Sequence, residues 1–185
     1  MAHTMKKQGA ISPNEHVIVD VETTGFYPGQ GDEIIEVAAQ RIVGQEAGDT
    51  YTSLVLTSRT LTPEGIAVHG ISPELLEREG RPIEAVMDEL VRFIGRAAIV
   101  GHNIAFDMGF INAHLARLGR SLLANETVDT LEWARRLLIL PGYSLDKVAR
   151  YFKIPQAVAH RALPDVETTR EVFLKLRERS QSLVR

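Results

Sequence analysis

Residues 16–26 read HVIVDVETTGF. Val17, Ile18 and Val19 open the stretch as a buried β-strand would, and then two carboxylates arrive one residue apart, Asp20 and Glu22. Side chains alternate across a strand, so Val17, Val19 and Val21 share one face while Ile18, Asp20 and Glu22 share the other. Leaving even a neutral polar group unpaired in an apolar interior costs roughly 2–7 kcal/mol. Two acids at the end of a core strand therefore either reach solvent or serve a site. Open α/β sheets place their sites at that C-terminal end. Alone, D-x-E is too short a motif to decide between the two.

Working outward, two further strand-like runs follow, 33–43 (EIIEVAAQRIV) and 50–57 (TYTSLVLT). The connections GFYPGQGDE and GQEAGD are rich in turn residues, which predicts a three-strand antiparallel meander. Helical signals dominate thereafter. Thr62-Pro63-Glu64 and Ser72-Pro73-Glu74 each read as an N-cap with proline at the first helical position, the first of these helices ending at Gly70. Ile83, Val86, Leu90 and Ile94 recur at helical spacing before a stop at Gly95. A short apolar strand, 97–101, leads into a helix over 104–118 capped by Asn103. A further strand near 126–129 precedes helices near 130–138 and 144–152, with Asp129 capping the first. The last helix is predicted over 164–179, with Val166, Phe173 and Leu176 inward. The order predicts an α/β domain: a mixed sheet, the meander plus parallel strands, flanked by helices.

The 185 residues suit one domain, with 1–14 read as a flexible leader and 15–185 as the folded unit. There is no cysteine, which excludes disulfides, thiolate metal sites and cysteine nucleophiles. No apolar run is long enough for a signal peptide or a membrane span, so a cytoplasmic location is expected. The formal net charge of −3 argues against a protein that coats nucleic acid passively, since such binders are usually basic.

Two more segments carry isolated acids. In VGHNIAFDMGF, 100–110, Asp107 falls in the first turn of a helix entered directly from a strand, beside Phe106, Phe110 and Ile111. In AHRALPDVETTREV, 159–172, Asp165 stands near the start of the last helix, five residues after His160. A first-turn acid is favoured by the helix dipole by about 0.3–1 kcal/mol and needs no function. Three segments that each bring an acid to one edge of the sheet are a different matter. Clustered carboxylates repel unless protonated or neutralised, and an all-oxygen donor set favours Mg²⁺ or Mn²⁺. Two such ions form a clamp for in-line attack on phosphodiesters, with a neutral histidine to take the proton.

VIVDVETTGF, GHNIAFDMGF and HRALPDVETT, in this order, resemble the three motifs of the DnaQ-like 3′–5′ exonucleases, the DEDD superfamily on a ribonuclease-H-like fold. Its best-known member is the proofreading epsilon subunit of bacterial replicative DNA polymerase. The resemblance covers about residues 16–176, and VHGIS at 68–72 and the 128–152 stretch are similar to the connecting segments. It implies that Asp20 bridges two cations, that Glu22 and Asp165 complete one site, and that Asp107 serves the other. It implies that His160 is the general base, which places the chain in the histidine branch (DEDDh), since position 161 is Arg and not Tyr. Thr23, Thr24 and Gly25 are implied contacts to the terminal nucleotide, with Phe26, His69 and Phe106 packing around it. His69 reads equally well as a helix-end residue and Phe106 as core. His102 and the Asp129-Thr130 pair are expected to be structural, and Gly101 stands where relatives often carry Ala or another small residue. The implied activity is metal-dependent 3′–5′ exonuclease action on single-stranded DNA ends. RNA trimming and a mainly structural polymerase-subunit role are the alternatives. A polymerase partner, a stand-alone enzyme and a domain of a longer polypeptide all fit a chain that stops at Arg185.

Overall fold

A computed structural model of the protein describes residues 15–156 and 160–182; the leader expected at 1–14 lies outside them. Five strands form one sheet in the order β3-β2-β1-β4-β5. β1 (Glu15–Thr23), β2 (Ile34–Val43) and β3 (Glu46–Leu54) make the antiparallel meander, while β4 (Ala98–Gly101) and β5 (Thr127–Asp129) run parallel to β1. Seven α-helices and a short 3₁₀ helix (Pro28–Gln30) complete the described chain, the α-helices being α1 (Pro63–His69), α2 (Pro73–Glu79), α3 (Ile83–Ile94), α4 (Ile104–Arg117), α5 (Thr130–Leu137), α6 (Leu145–Tyr151) and α7 (Ala162–Ser182).

The alternation along β1 sets the layers. Val17, Val19 and Val21 pack with α3 and α4 through Val86, Leu90, Phe110 and Ile111. Ile18 faces the other way, into a cluster with Ala38, Ile42, Val100 and the α7 residues Val166 and Phe173. The central sheet is thus covered on both sides, and the face that bears Asp20 and Glu22 is the one closed by α7. Among the described residues no helix is long and apolar enough to cross a membrane.

Several boundaries differ from the sequence expectation, each for a local reason. β3 begins at Glu46 because Gly44, at φ 66°, closes a two-residue hairpin with Val43 opposite Glu46. Its first half is exposed and polar, so periodicity could not reveal it. α7 begins at Ala162, two residues early. Its Ala162 N–H donates to Glu36 Oε2 at 3.0 Å, and Pro164 is tolerated in the first turn.

The cap expected at Asn103 is not made. Asn103 sits in the left-handed region at φ 66° and its side chain accepts no cap hydrogen bond. Its own N–H donates to Asp129 Oδ1 at 3.0 Å, and the same oxygen accepts Leu131 N–H at 2.8 Å as the cap of α5. Gly101, just before this junction, is tight: a Cβ there would lie 2.5 Å from Ile104 Cδ1. His102 holds the junction from the other side, its ring nitrogens 3.0 Å from Thr130 Oγ1 and 2.8 Å from the Tyr143 carbonyl.

Because one Asp129 oxygen serves both the α4 entry and the α5 cap, Asp129→Ala should destabilise the protein by about 1–2 kcal/mol. Asp129→Asn keeps a carbonyl acceptor and should lose much less. Thermal melting of the two variants checks this; equal losses would remove the double acceptor from its role.

Candidate active site

β1 pairs with β4 only over His16–Ile18, the last pair being Ile18 with Val100. Beyond it β4 turns away into α4, leaving the end of β1 unflanked on that side. α4 answers with Asp107, whose Oδ1 accepts the Val21 N–H at 3.0 Å. On the opposite edge β1 stays paired with β2 until a register shift between Glu22 and Thr23. The acids therefore project from a strand whose neighbours are diverging, where a crevice opens.

Into this crevice α7 brings Asp165 from its first turn. Carboxylate oxygens of Asp20, Glu22 and Asp165 lie within 4.8 Å of one another. Asp107 is not part of that trio and is nearly fully buried, 4% exposed. His160 borders the same cleft as Asp20 and Asp165, a cavity of about 200 Å³ also lined by His102, Ser144 and Asp146. The structure thus gathers Asp20, Glu22, Asp165 and His160, with Asp107 hydrogen-bonded to the strand beneath them.

The electrostatics reflect this crowding. Burial, reinforced by Asp107, Asp165 and Glu22, holds the Asp20 carboxyl well above the ordinary carboxylate range. Glu22 is pushed up to about 7, first by burial and then by Asp165 and Glu36, with Arg161 opposing. Asp107 is pushed up to about 8 by burial, against the lowering effect of the Val21 N–H. Asp165 is raised by burial, with His160 opposing. Carboxylates so placed retain protons unless a cation neutralises them. The trio offers three hard oxygen donors at mutual distances that a single divalent cation can span, so the donor set fits such an ion.

The other residues singled out in the sequence divide. Thr23 Oγ1 donates to the Gly25 carbonyl at 2.7 Å. Thr24 Oγ1 accepts Glu33 N–H at 3.0 Å, and its own N–H donates to the Glu33 carbonyl, so Thr24 is engaged in shaping its loop. Gly25 is required sterically: a Cβ there would lie 2.4 Å from Asp32 Oδ2. That carboxylate oxygen accepts Tyr27 N–H and so braces the loop. Phe26 is 75% exposed at the outer end of an aromatic row, with Phe106 6.5 Å away and Phe106 a further 5.0 Å from buried Phe110. His69 is the buried last residue of α1, and its Nδ1 accepts Ile71 N–H at 3.0 Å, the helix-end arrangement.

Sequence reasoning did not single out Glu36, which is buried on β2 and bound to Arg161 and Ala162. The signal was available as a lone charge inside the apolar run IIEVAA. Ser144 and Asp146, on the cleft wall, carried no such signal; only the folding of α6 against the site brings them there.

Comparison with known proteins accords with this geometry. A profile for a family described as Exonuclease (RNase_T) matches residues 17–173. The PolC-type DNA polymerase III of Thermotoga maritima is 38% identical over 162 residues, covering 88% of this chain and 12% of that protein. The 3′–5′ exonuclease DinG of Bacillus subtilis is 33% identical over 170 residues, 90% of this chain and 18% of that one. The chain therefore spans less than a fifth of the length of these curated relatives. Among solved structures, E. coli Exonuclease I in complex with a dT13 oligonucleotide matches with a TM-score of 0.82 at 20% identity, over 92% of this chain and 42% of that one. Exonuclease X in complex with 5′ overhanging duplex DNA gives 0.70 at 23% identity, over 90% and 93%. At those identities the likeness speaks to the fold, the ribonuclease-H-like α/β sheet described above. With the matched profile reaching from β1 into α7, the chain belongs to the DnaQ-like, DEDDh family of 3′–5′ exonucleases.

Proposed function

We propose that this chain is a metal-dependent 3′–5′ exonuclease that removes nucleoside monophosphates from the 3′ ends of single-stranded DNA. The observation that carries the reading is the trio of carboxylate oxygens, Asp20, Glu22 and Asp165, within 4.8 Å of one another, two of them lining the cleft that His160 borders. The names of the relatives, a DNA polymerase III and DinG, favour DNA over RNA and make association with a replicative polymerase a natural setting.

Asp20, Glu22 and Asp165 would hold one divalent cation, Mg²⁺ or Mn²⁺, and Asp20 with Asp107 a second. Bound there, the two cations would supply the positive charge that offsets the acids and the developing charge on the phosphate. His160 would accept a proton from the attacking water at its unprotonated ring nitrogen. The water oxygen joins phosphorus as the bond from phosphorus to the 3′ oxygen breaks. The departing 3′ oxygen takes a proton from solvent, so the shortened strand keeps a 3′ hydroxyl and a nucleoside 5′-monophosphate leaves. Thr23, Thr24, Gly25 and His69 would border the terminal nucleotide. Phe26 and Phe106 would offer it a ring face, Phe26 being the exposed member of a row anchored on Phe110.

Three outcomes check the reading. A 5′-labelled DNA oligomer should be shortened stepwise from its 3′ end with Mg²⁺ or Mn²⁺ and stay intact in EDTA. A matched RNA oligomer should compete poorly, and preferential loss of the RNA would transfer the activity to RNA trimming. His160→Ala should lower turnover by about 10²–10⁴-fold while sparing metal binding; an unimpaired variant would take the histidine out of the reaction.

The raised acids also fix a pH dependence. Between pH ~7 and ~8.5 the native state without metal holds protons that the unfolded chain, with carboxyl pKa values near 4, has lost. Stability should therefore fall as pH rises through the values of about 7 and 8 carried by Glu22 and Asp107. Below about pH 6.5 the trend is opposed, because desolvation holds buried His69 and His114 and partly buried His102 below their ordinary pKa. Saturating Mn²⁺ should raise the melting temperature and flatten the slope in the upper window. A metal-free melting temperature that climbs from pH 7 to 8.5 would contradict the crowding of the acids.

A further inference from the structure

Glu36 stands directly opposite Glu22 in the β1–β2 register, and so on the same face of the sheet. Like charges at such a pair repel, which makes this an unfavourable place for an acid unless it is neutralised. Arg161 neutralises it. Arg161 Nη2 donates to Glu36 Oε1 at 2.6 Å and Nε to Oε2 at 2.9 Å, a two-pronged fork. The Glu36 side chain is 9% exposed and that of Arg161 40%, so the pair runs from the sheet to the surface.

The same carboxylate accepts a third group, the Ala162 N–H, at 3.0 Å. One rigid strand residue thereby fixes two consecutive residues, 161 and 162, immediately after His160. His160 itself has φ 61°, a left-handed backbone that a non-glycine residue adopts only at a cost. Such a conformation persists only where its surroundings over-determine it. The contact joins residues 125 positions apart, the strand beside the acids and the segment that carries the histidine.

We propose that the Glu36–Arg161 pair is a positioning device that acts through His160, holding its imidazole over the Asp20–Asp165 cleft. This rests on the exonuclease reading. Stability alone is a weak reason for the pair, since a buried ion pair is often no better than a well-packed apolar one. The fork restricts direction as well as distance, and a histidine needs both to meet the attacking water.

A double-mutant cycle tests it, using turnover of a 5′-labelled DNA oligomer with Mg²⁺. Arg161→Ala should lower kcat by about 10–100-fold with KM changed by less than about threefold. Placed on His160→Ala, it should add less than about threefold, because its effect passes through the missing ring. Arg161→Lys, which keeps the charge and loses the fork, should fall between wild type and Arg161→Ala. The rise in melting temperature with Mn²⁺ should survive in Arg161→Ala. Multiplying effects in the double variant, an unchanged kcat in Arg161→Ala or loss of the Mn²⁺ response would each overturn the proposal. If Arg161→Ala does not fold, Arg161→Lys and Glu36→Gln carry the same cycle. Wild-type protein without nuclease activity would instead defeat the exonuclease reading, and this proposal with it.

Discussion

β1 has to be buried on both faces and still end in two acids. That constraint organises the rest of the molecule. Val17, Val19 and Val21 fix the strand against α3 and α4, which leaves Ile18, Asp20 and Glu22 no freedom to turn elsewhere. The opposite face must then be closed over Ile18 without smothering the acids. α7 does so obliquely: Val166 and Phe173 cover Ile18, and the helix start carries Asp165 toward Asp20 and Glu22. The Val21 N–H, left without a strand partner where β4 departs, is answered by Asp107. One hydrogen bond thus completes the backbone and sets the fourth acid in place.

Burying these acids near one another is electrostatically unfavourable, and the proton affinities of Asp20, Glu22, Asp107 and Asp165 are all raised, by burial before any neighbouring charge. Three kinds of anchor carry the four acids: a core strand for Asp20 and Glu22, a helix packed into the hydrophobic cluster for Asp107, and a helix start tied to β2 for Asp165. Rigid elements, not loops, resist the repulsion, as a pre-organised site requires. Where local rules are broken, as by paired acids on a buried strand or a left-handed histidine, the breaks fall together around one cleft.

Much of this was legible in the sequence because its signals were periodic or punctuated. The alternation in HVIVDVE, the Thr62-Pro63 and Ser72-Pro73 starts and the Gly95 stop all became elements close to their expected bounds. What escaped was set by contacts between distant residues. The expected Asn103 cap gave way to Asp129, because one carboxylate could satisfy two backbone donors at once. The start of α7 depended on Glu36, more than a hundred positions away. The early half of β3, polar and exposed, is held by hairpin geometry and has no hydrophobic period to read. Of the candidate site, the acids were visible only as an ordered set of three motifs. Thr23, Thr24 and His69 each make a local hydrogen bond that closes a turn or a helix end, a partner that no sequence period announces.

The arrangement also separates two demands that a nuclease site places on its residues. The acids proposed to bind metal need permanence, and they sit on β1, α4 and α7, elements packed into the core. A general base needs a ring that is held in direction but open to water. His160 is exposed, in a left-handed turn outside any element, so the core cannot orient it by packing. The residues that follow it are tied to the sheet by a fork and a backbone hydrogen bond to one carboxylate, which is where the proposed orientation would come from. A charge does this better than an apolar contact, because it fixes a direction without covering the ring. If His160 is the base proposed above, the burial of Glu36 beside Glu22 is the local cost of steering a histidine that has to remain wet.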